Sequence, residues 1–170
     1  MDNIKASKSS STDGASKGGG FMFIDSGVYA TVTNSVFANN TAIYRGGSFF
    51  LSSGSNLTLE NISFFNGSAV VSRGGDIHND GGILKWNNGV SIGSKGDLYG
   101  NGTQCASGGS ISILNGNATL ANLHFEGQRV AYFGGILYAL TSPNVYVENM
   151  TSFDTQAIQF SGAFYVVKTI

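Results

Sequence analysis

The chain has 170 residues but only one cysteine and one proline, and only 11% of its residues are charged. A lone Cys105 cannot build an internal disulfide framework and does not indicate a redox compartment. Nine basic against ten acidic side chains leave a net charge of −1, so there is no electrostatic footprint for nucleic acid or an anionic membrane. No apolar run approaches the roughly 18 residues needed to cross a bilayer, and the opening MDNIKASKSSSTDG lacks the apolar stretch of a secretory signal. Any export signal is therefore expected outside this chain.

What is present is enough to fold. Hydrophobic residues make up 41% of the chain and aromatics 12%, which suits one domain with a real core. The 25 glycines are not scattered. Paired small residues recur at Gly19-Gly20, Gly46-Gly47, Gly74-Gly75, Gly108-Gly109, Gly134-Gly135 and Ser161-Gly162, with intervals of 27, 28, 34, 26 and 27. A second marker, apolar-x-Asn, ends at Asn34, Asn61, Asn88, Asn122 and Asn149, with intervals of 27, 27, 34 and 27. Both markers stretch in the same repeat, so one insertion of about seven residues, in the coil around residues 92–107, explains both departures. Met1-Asp2-Asn3 fits the second marker as well, and GAFYVVKTI repeats the segment after each Gly pair. The chain thus reads as beginning and ending in mid-coil, with a Ser/Lys-rich loop at 5–17.

After each Gly pair comes a short alternating run: FMFI, SFFL, DIHN, SISI, ILYA and AFYV. Its second and fourth positions are apolar in every case but Asn79, the period of two expected when one strand face lines a core. The apolar-x-Asn segments supply a second strand per repeat, and short runs such as Ala42-Ile43-Tyr44 a third. No stretch carries a helical period. Three short strands in about 27 residues predict an all-β parallel β-helix of about six coils, in which equivalent residues stack about 4.8 Å apart. Asn34, Asn61, Asn88, Asn122 and Asn149 then form a structural ladder of side-chain amides. Gly20, Gly47, Gly75, Gly109, Gly135 and Gly162 are turn glycines, placed where φ is positive or coils approach too closely for a Cβ.

The columns also allow a search for chemistry. Glycoside hydrolysis needs two carboxylates about 5 to 9.5 Å apart. Glu60 and Glu148 share a column but lie three coils apart, roughly 14 Å at the strand spacing. No second acid shares the column of Asp76, which also argues against a calcium site. Asp76 and His78 are expected on one strand face, where a general acid/base pair is conceivable but a solvated polar strand is the plainer reading. His78 and His124 fall in different columns with no zinc-like spacing. No catalytic residue, cofactor or metal ligand is assigned.

Two surface features are expected. Phe23, Phe50, Tyr138 and Tyr165 occupy the outward position of the post-Gly strands, a candidate exposed aromatic stripe for packing or sugar stacking. Asn-x-Ser/Thr sequons occur at Asn39, Asn56, Asn61, Asn66, Asn101, Asn117 and Asn149. Asn39, Asn56, Asn66, Asn101 and Asn117, in turns, are the better glycan acceptors if the chain is secreted by a eukaryote. Asn61 and Asn149 are expected to be hidden in the ladder.

Gly134-Gly135-Ile136-Leu137 and Phe37-Ala38-Asn39-Asn40 resemble the Gly-Gly-aliphatic and Phe-x-x-Asn segments of chlamydial polymorphic outer-membrane protein repeats, adhesin or autotransporter passengers. More loosely, the chain is similar to the pectin-lyase-like group. The resemblance implies a right-handed β-helix, extracellular or on the cell surface, used in adhesion or surface architecture, and carries over no catalytic residue. Like protomers or further coils docked end to end are the expected partners, with glycans or a host surface as others. The alternative is a polysaccharide-binding or polysaccharide-degrading β-helix whose catalytic residues lie outside this chain.

Overall fold

A computed structural model describes residues 1–12, 18–98, 107–142 and 144–167. All its regular elements are strands, and every strand pairing is parallel. The chain is a parallel β-solenoid of about six turns. One six-stranded sheet stacks Lys5–Ser7, Tyr29–Ala38, Asn56–Phe65, Ile83–Ile92, Asn117–Glu126 and Val145–Phe153. A second stacks Met22–Ile24, Phe49–Leu51, Ile77–Asp80, Ile111–Leu114, Leu137–Leu140 and Phe164–Val167 in the same order. Short pairings from Ser10–Ser11 onward close a third side. The expected loop at 5–17 is thus partly strand: Lys5–Ser7 and Ser10–Ser11 pair with the next coil. Register also locates the insertion. Ser68 bridges Lys95, still 27 residues on, whereas Arg73 bridges Ser107, 34 residues on. The extra residues therefore lie between Lys95 and Ser107.

The long strands are bent. In Asn56–Phe65 the buried positions are Leu57, Leu59, Ile62 and Phe64, so strict alternation slips by one residue. The slip occurs at Asn61, whose φ is +56°. Asn3, Asn34, Asn88, Asn122 and Asn149 share that left-handed backbone, which Asn adopts more readily than other residues with a Cβ. Each long strand is therefore two legs joined at an asparagine.

A second corner follows each Gly pair. The N–H groups of Asp76 and Ile77 both donate to Ser110 O, and those of Ser48 and Phe49 both donate to Asp76 O. Two successive residues cannot share an acceptor in a straight strand, so the backbone turns and both side chains point inward. Phe21 and Ile136, in the first of these positions, and Phe49, Ile77, Ile111 and Leu137, in the second, all join the core.

The core is a stack of apolar layers. Phe37 and Phe64 lie 5.5 Å apart, Phe64 and Trp86 5.1 Å, and Trp86 and Phe125 5.7 Å between ring centroids. Burial of each such ring is worth roughly 2 to 3 kcal/mol. In the coil ending at Val167 the inner-facing Phe164 and Val166 are 39% and 59% exposed.

Candidate functional site

The Gly pairs serve two distinct needs. Their first members, Gly19, Gly46, Gly74, Gly108 and Gly134, have φ between +61° and +85°. The second members, Gly20, Gly47, Gly75, Gly109 and Gly135, do not, but a Cβ there would lie 2.0 to 2.2 Å from the carbonyl oxygen of the equivalent glycine one coil on. Gly162 has only Thr155 O within 4 Å, at 3.6 Å.

The asparagine stack lies on the outside of the rod. Asn61 Nδ2 donates to Asn34 Oδ1 at 2.9 Å, Asn149 Nδ2 to Asn122 Oδ1 at 2.7 Å, and Asn34 Nδ2 to Asp2 Oδ1 at 2.9 Å. Beyond Asn61 the amide-to-amide pattern gives way to Glu60. Its carboxylate accepts from Asn88 at 2.8 Å and from Asn87 at 3.1 Å, and Asn87 Oδ1 accepts from Asn122 at 2.8 Å. Asn61 and Asn149 are exposed, contrary to their expected burial in the ladder. The αL bend turns their side chains outward, away from the core that the alternation would have given them. Among the other sequons, Asn39 and Asn66 are exposed and Asn56 and Asn117 half-buried, while Asn101 lies outside the described residues, as does Cys105. Asn66 Nδ2 donates to Asn39 Oδ1 at 3.3 Å, a second short ladder at the end of the long strands.

The aromatic stripe is corrected by the structure. Phe50 is 3% and Tyr138 7% exposed, His78 and Ser112 between them are fully buried, and Phe23 and Tyr165 are half-buried. The column formed by Arg45, Arg73, Ser107, Phe133 and Phe160 runs beside the stripe. Arg73 sits over the Tyr138 ring at 5.6 Å, and Phe133 stacks near Tyr165 at 4.6 Å. Alternation correctly turns these residues away from the core, but away from the core is not the same as toward water. Phe23 with Phe50 and Tyr138 with Tyr165 stack within the rod, at 5.3 and 5.7 Å.

Asp76 and His78 are corrected too. They do not share a face, and neither is solvated. Asp76 turns inward at the corner, where its carboxylate accepts from Ser91 and Ser110 at 2.6 Å and from Ser94 at 2.7 Å. Burial pushes its pKa up to about 6, outweighing the three hydroxyl bonds that pull it down. His78 turns the other way, 5.3 Å from the Phe50 ring. Burial, and then the charges of Arg45 and Arg73, hold its pKa well below the ordinary value, so its imidazole is neutral. Neither ring nitrogen has a hydrogen-bond partner. An acid/base pair would need the two groups within reach of one substrate, and the strand lies between them.

Two further acids are engaged locally. Glu148 accepts from the Tyr146 hydroxyl at 3.0 Å, which raises the phenol pKa, and Glu60 is held by Asn87 and Asn88. Among the described residues no three His, Cys, Asp or Glu gather to hold a metal. No described helix is long and apolar enough to cross a membrane. Concavities among the described residues open on the surface. One, of about 260 Å³, runs along the ladder and is lined by Gly89, Asn122, Leu123, His124, Asn149 and Thr151. Another, of about 290 Å³, is lined by Tyr132, Phe133, Gln159 and Phe160. Sequence reasoning did not find the Ser91-Ser94-Ser110 cage around Asp76. Its signal is Ser91, which interrupts the column Phe37, Phe64, Phe125.

Comparison with protein families, with curated proteins and with solved structures finds no match to this chain. The parallel β-solenoid is shown by the strand register itself.

Proposed function

We propose that this chain is a non-catalytic structural and adhesive segment of an extracellular or cell-surface β-helix. The observation that carries the reading is the unbroken parallel stacking of like coils, in which each coil covers the inner face of its neighbour. Val147, Phe164 and Val166 occupy core columns yet remain 38%, 39% and 59% exposed. Such a face, with its strand edge, suits one more coil of the same architecture, supplied by further β-helix or by a like protomer. The separation of Glu60 from Glu148 by three coils, and the serine cage around Asp76, support a structural rather than a hydrolytic role. The exposed sequons at Asn39 and Asn66 fit a glycosylated surface, and the adhesin-like motifs fit display outside the cell.

Sedimentation velocity over a wide concentration range tests the docking. Growth of the wild type, abolished by Val166→Asp, supports it; a monomer throughout, with no longer solenoid found to contain the segment, removes it. Intact mass before and after glycosidase treatment tests occupancy of Asn39 and Asn66.

The groove along Asn122, His124, Asn149 and Thr151 favours a second reading, a polysaccharide-binding segment. Retention on immobilised glycans without release of reducing ends would select it over the first. Release of reducing ends would select a degrading enzyme instead.

A further inference from the structure

The Asp76 carboxylate is fully buried, and its neighbours make room for it. A Cβ on Gly67 would lie 2.1 Å from Asp76 Oδ1, and Ser91 replaces the phenylalanine that the adjacent coils carry. The side chains facing it are hydroxyls: Ser91 at the end of strand Ile83–Ile92, Ser94 in the following turn, and Ser110 on the next coil. Gln128 reaches the cluster only through Ser91, to which its amide donates at 2.7 and 3.1 Å. Asn40 and Ser48, on the preceding coil, bond to each other. None of these groups titrates or carries charge. Arg45, Arg73 and His78 lie on the opposite side of strand Ile77–Asp80. A buried carboxylate is ordinarily paired with a cation or loses its charge. This one is surrounded by serines, and a serine hydroxyl can turn from donor to acceptor. A ring of N–H donors could stabilise only the anion; a ring of hydroxyls can take the acid's proton as well.

We propose that in mildly acidic surroundings Asp76 is carried in the folded rod as its neutral acid, so that folding takes up a proton there and the rod loses stability as its surroundings turn neutral. The direction follows from linkage. The group's pKa is raised from 3.8 in the open chain to about 6 in the fold. Below the lower value both states are protonated and Asp76 costs nothing. Above the lower value the open chain gives up its proton while the fold keeps it, so stability is lost as pH rises toward the upper value and the loss levels off once the fold ionises too. Two pH units correspond to a change of about a hundredfold in the folding constant.

The test compares denaturant midpoints of the wild type and Asp76→Asn between pH 4 and pH 8. The expected result is a wild-type disadvantage relative to Asp76→Asn that grows between pH 4 and 7 and is flat above. A difference that does not change with pH overturns the proposal. Should Asp76→Asn fail to fold, the ¹³C carboxyl shift of Asp76 in the wild type decides it: a midpoint near 6 supports the proposal, and one at or below 4 sinks it. A third arm replaces sodium chloride by choline chloride at pH 8. Equal midpoints are expected, and stabilisation specific to sodium would show that a cation, not a proton, neutralises the site.

Discussion

The third coil and its neighbours solve the same packing problem with different side chains. In the second coil Leu59, Ile62 and Phe64 fill the core; the third coil has Trp86, Gly89 and Ser91 in the paired positions. Trp86 is larger than Leu59, and the space comes from the two residues beside it. A Cβ on Gly89 would lie 2.5 Å from Trp86 Nε1, and Ser91 gives up the ring volume that Phe64 and Phe125 occupy. The room left near Ser91 is taken by Asp76, and Asp76 in turn needs Gly67 to lack a side chain. Five departures from the repeat are therefore one compensated exchange. A column in a solenoid conserves volume across a layer, not identity at a position.

The exchange can be broken at several points. Trp86→Ala should cost most, about 3 to 5 kcal/mol, read by chemical denaturation. Leu59→Trp should not be tolerated in return, because Ile62 and Phe64 have not shrunk to admit it. Gly67→Ala should cost about 2 to 3 kcal/mol; the part due to Asp76 Oδ1 should vanish in the Asp76→Ser background, and the part due to Gly75 O, which a Cβ would meet at 2.5 Å, should remain. A double-mutant cycle measures the coupling, and additive costs would show that Gly67 and Asp76 are independent.

The exposed ladder gives smaller effects. Asn61→Ala and Asn88→Ala should each lose about 1 to 2 kcal/mol from the left-handed backbone, while Asn→Gly at either site should nearly restore stability. Glu60→Gln is the mildest test, within about 1 kcal/mol. It should speed amide exchange around Asn87 and Asn88 and leave that around Asn122 and Asn149 unchanged, because only the first pair bonds to Glu60.

The period, the three sides of each coil and the insertion were legible because a parallel stack repeats its constraints every turn. Asn79 could be recognised as the exception in its column, but not that it is buried, with its amide donating to Gly82 O and Asn117 O. The inward turn of Asp76 was not legible either. Alternation predicts faces only along a straight strand, and the shared acceptor Ser110 O marks a corner that no residue type announces. Nor did alternation indicate that Phe50 and Tyr138 would be covered.

Sequence alone determined how the coils lie on one another, because glycine, asparagine and apolar residues recur at the spacing that puts like backbone beside like backbone. Tertiary structure decided which side chains meet water. That depends on where the chain bends and on what neighbouring columns cover, and both are set by contacts across the coil that a periodicity along the chain does not encode.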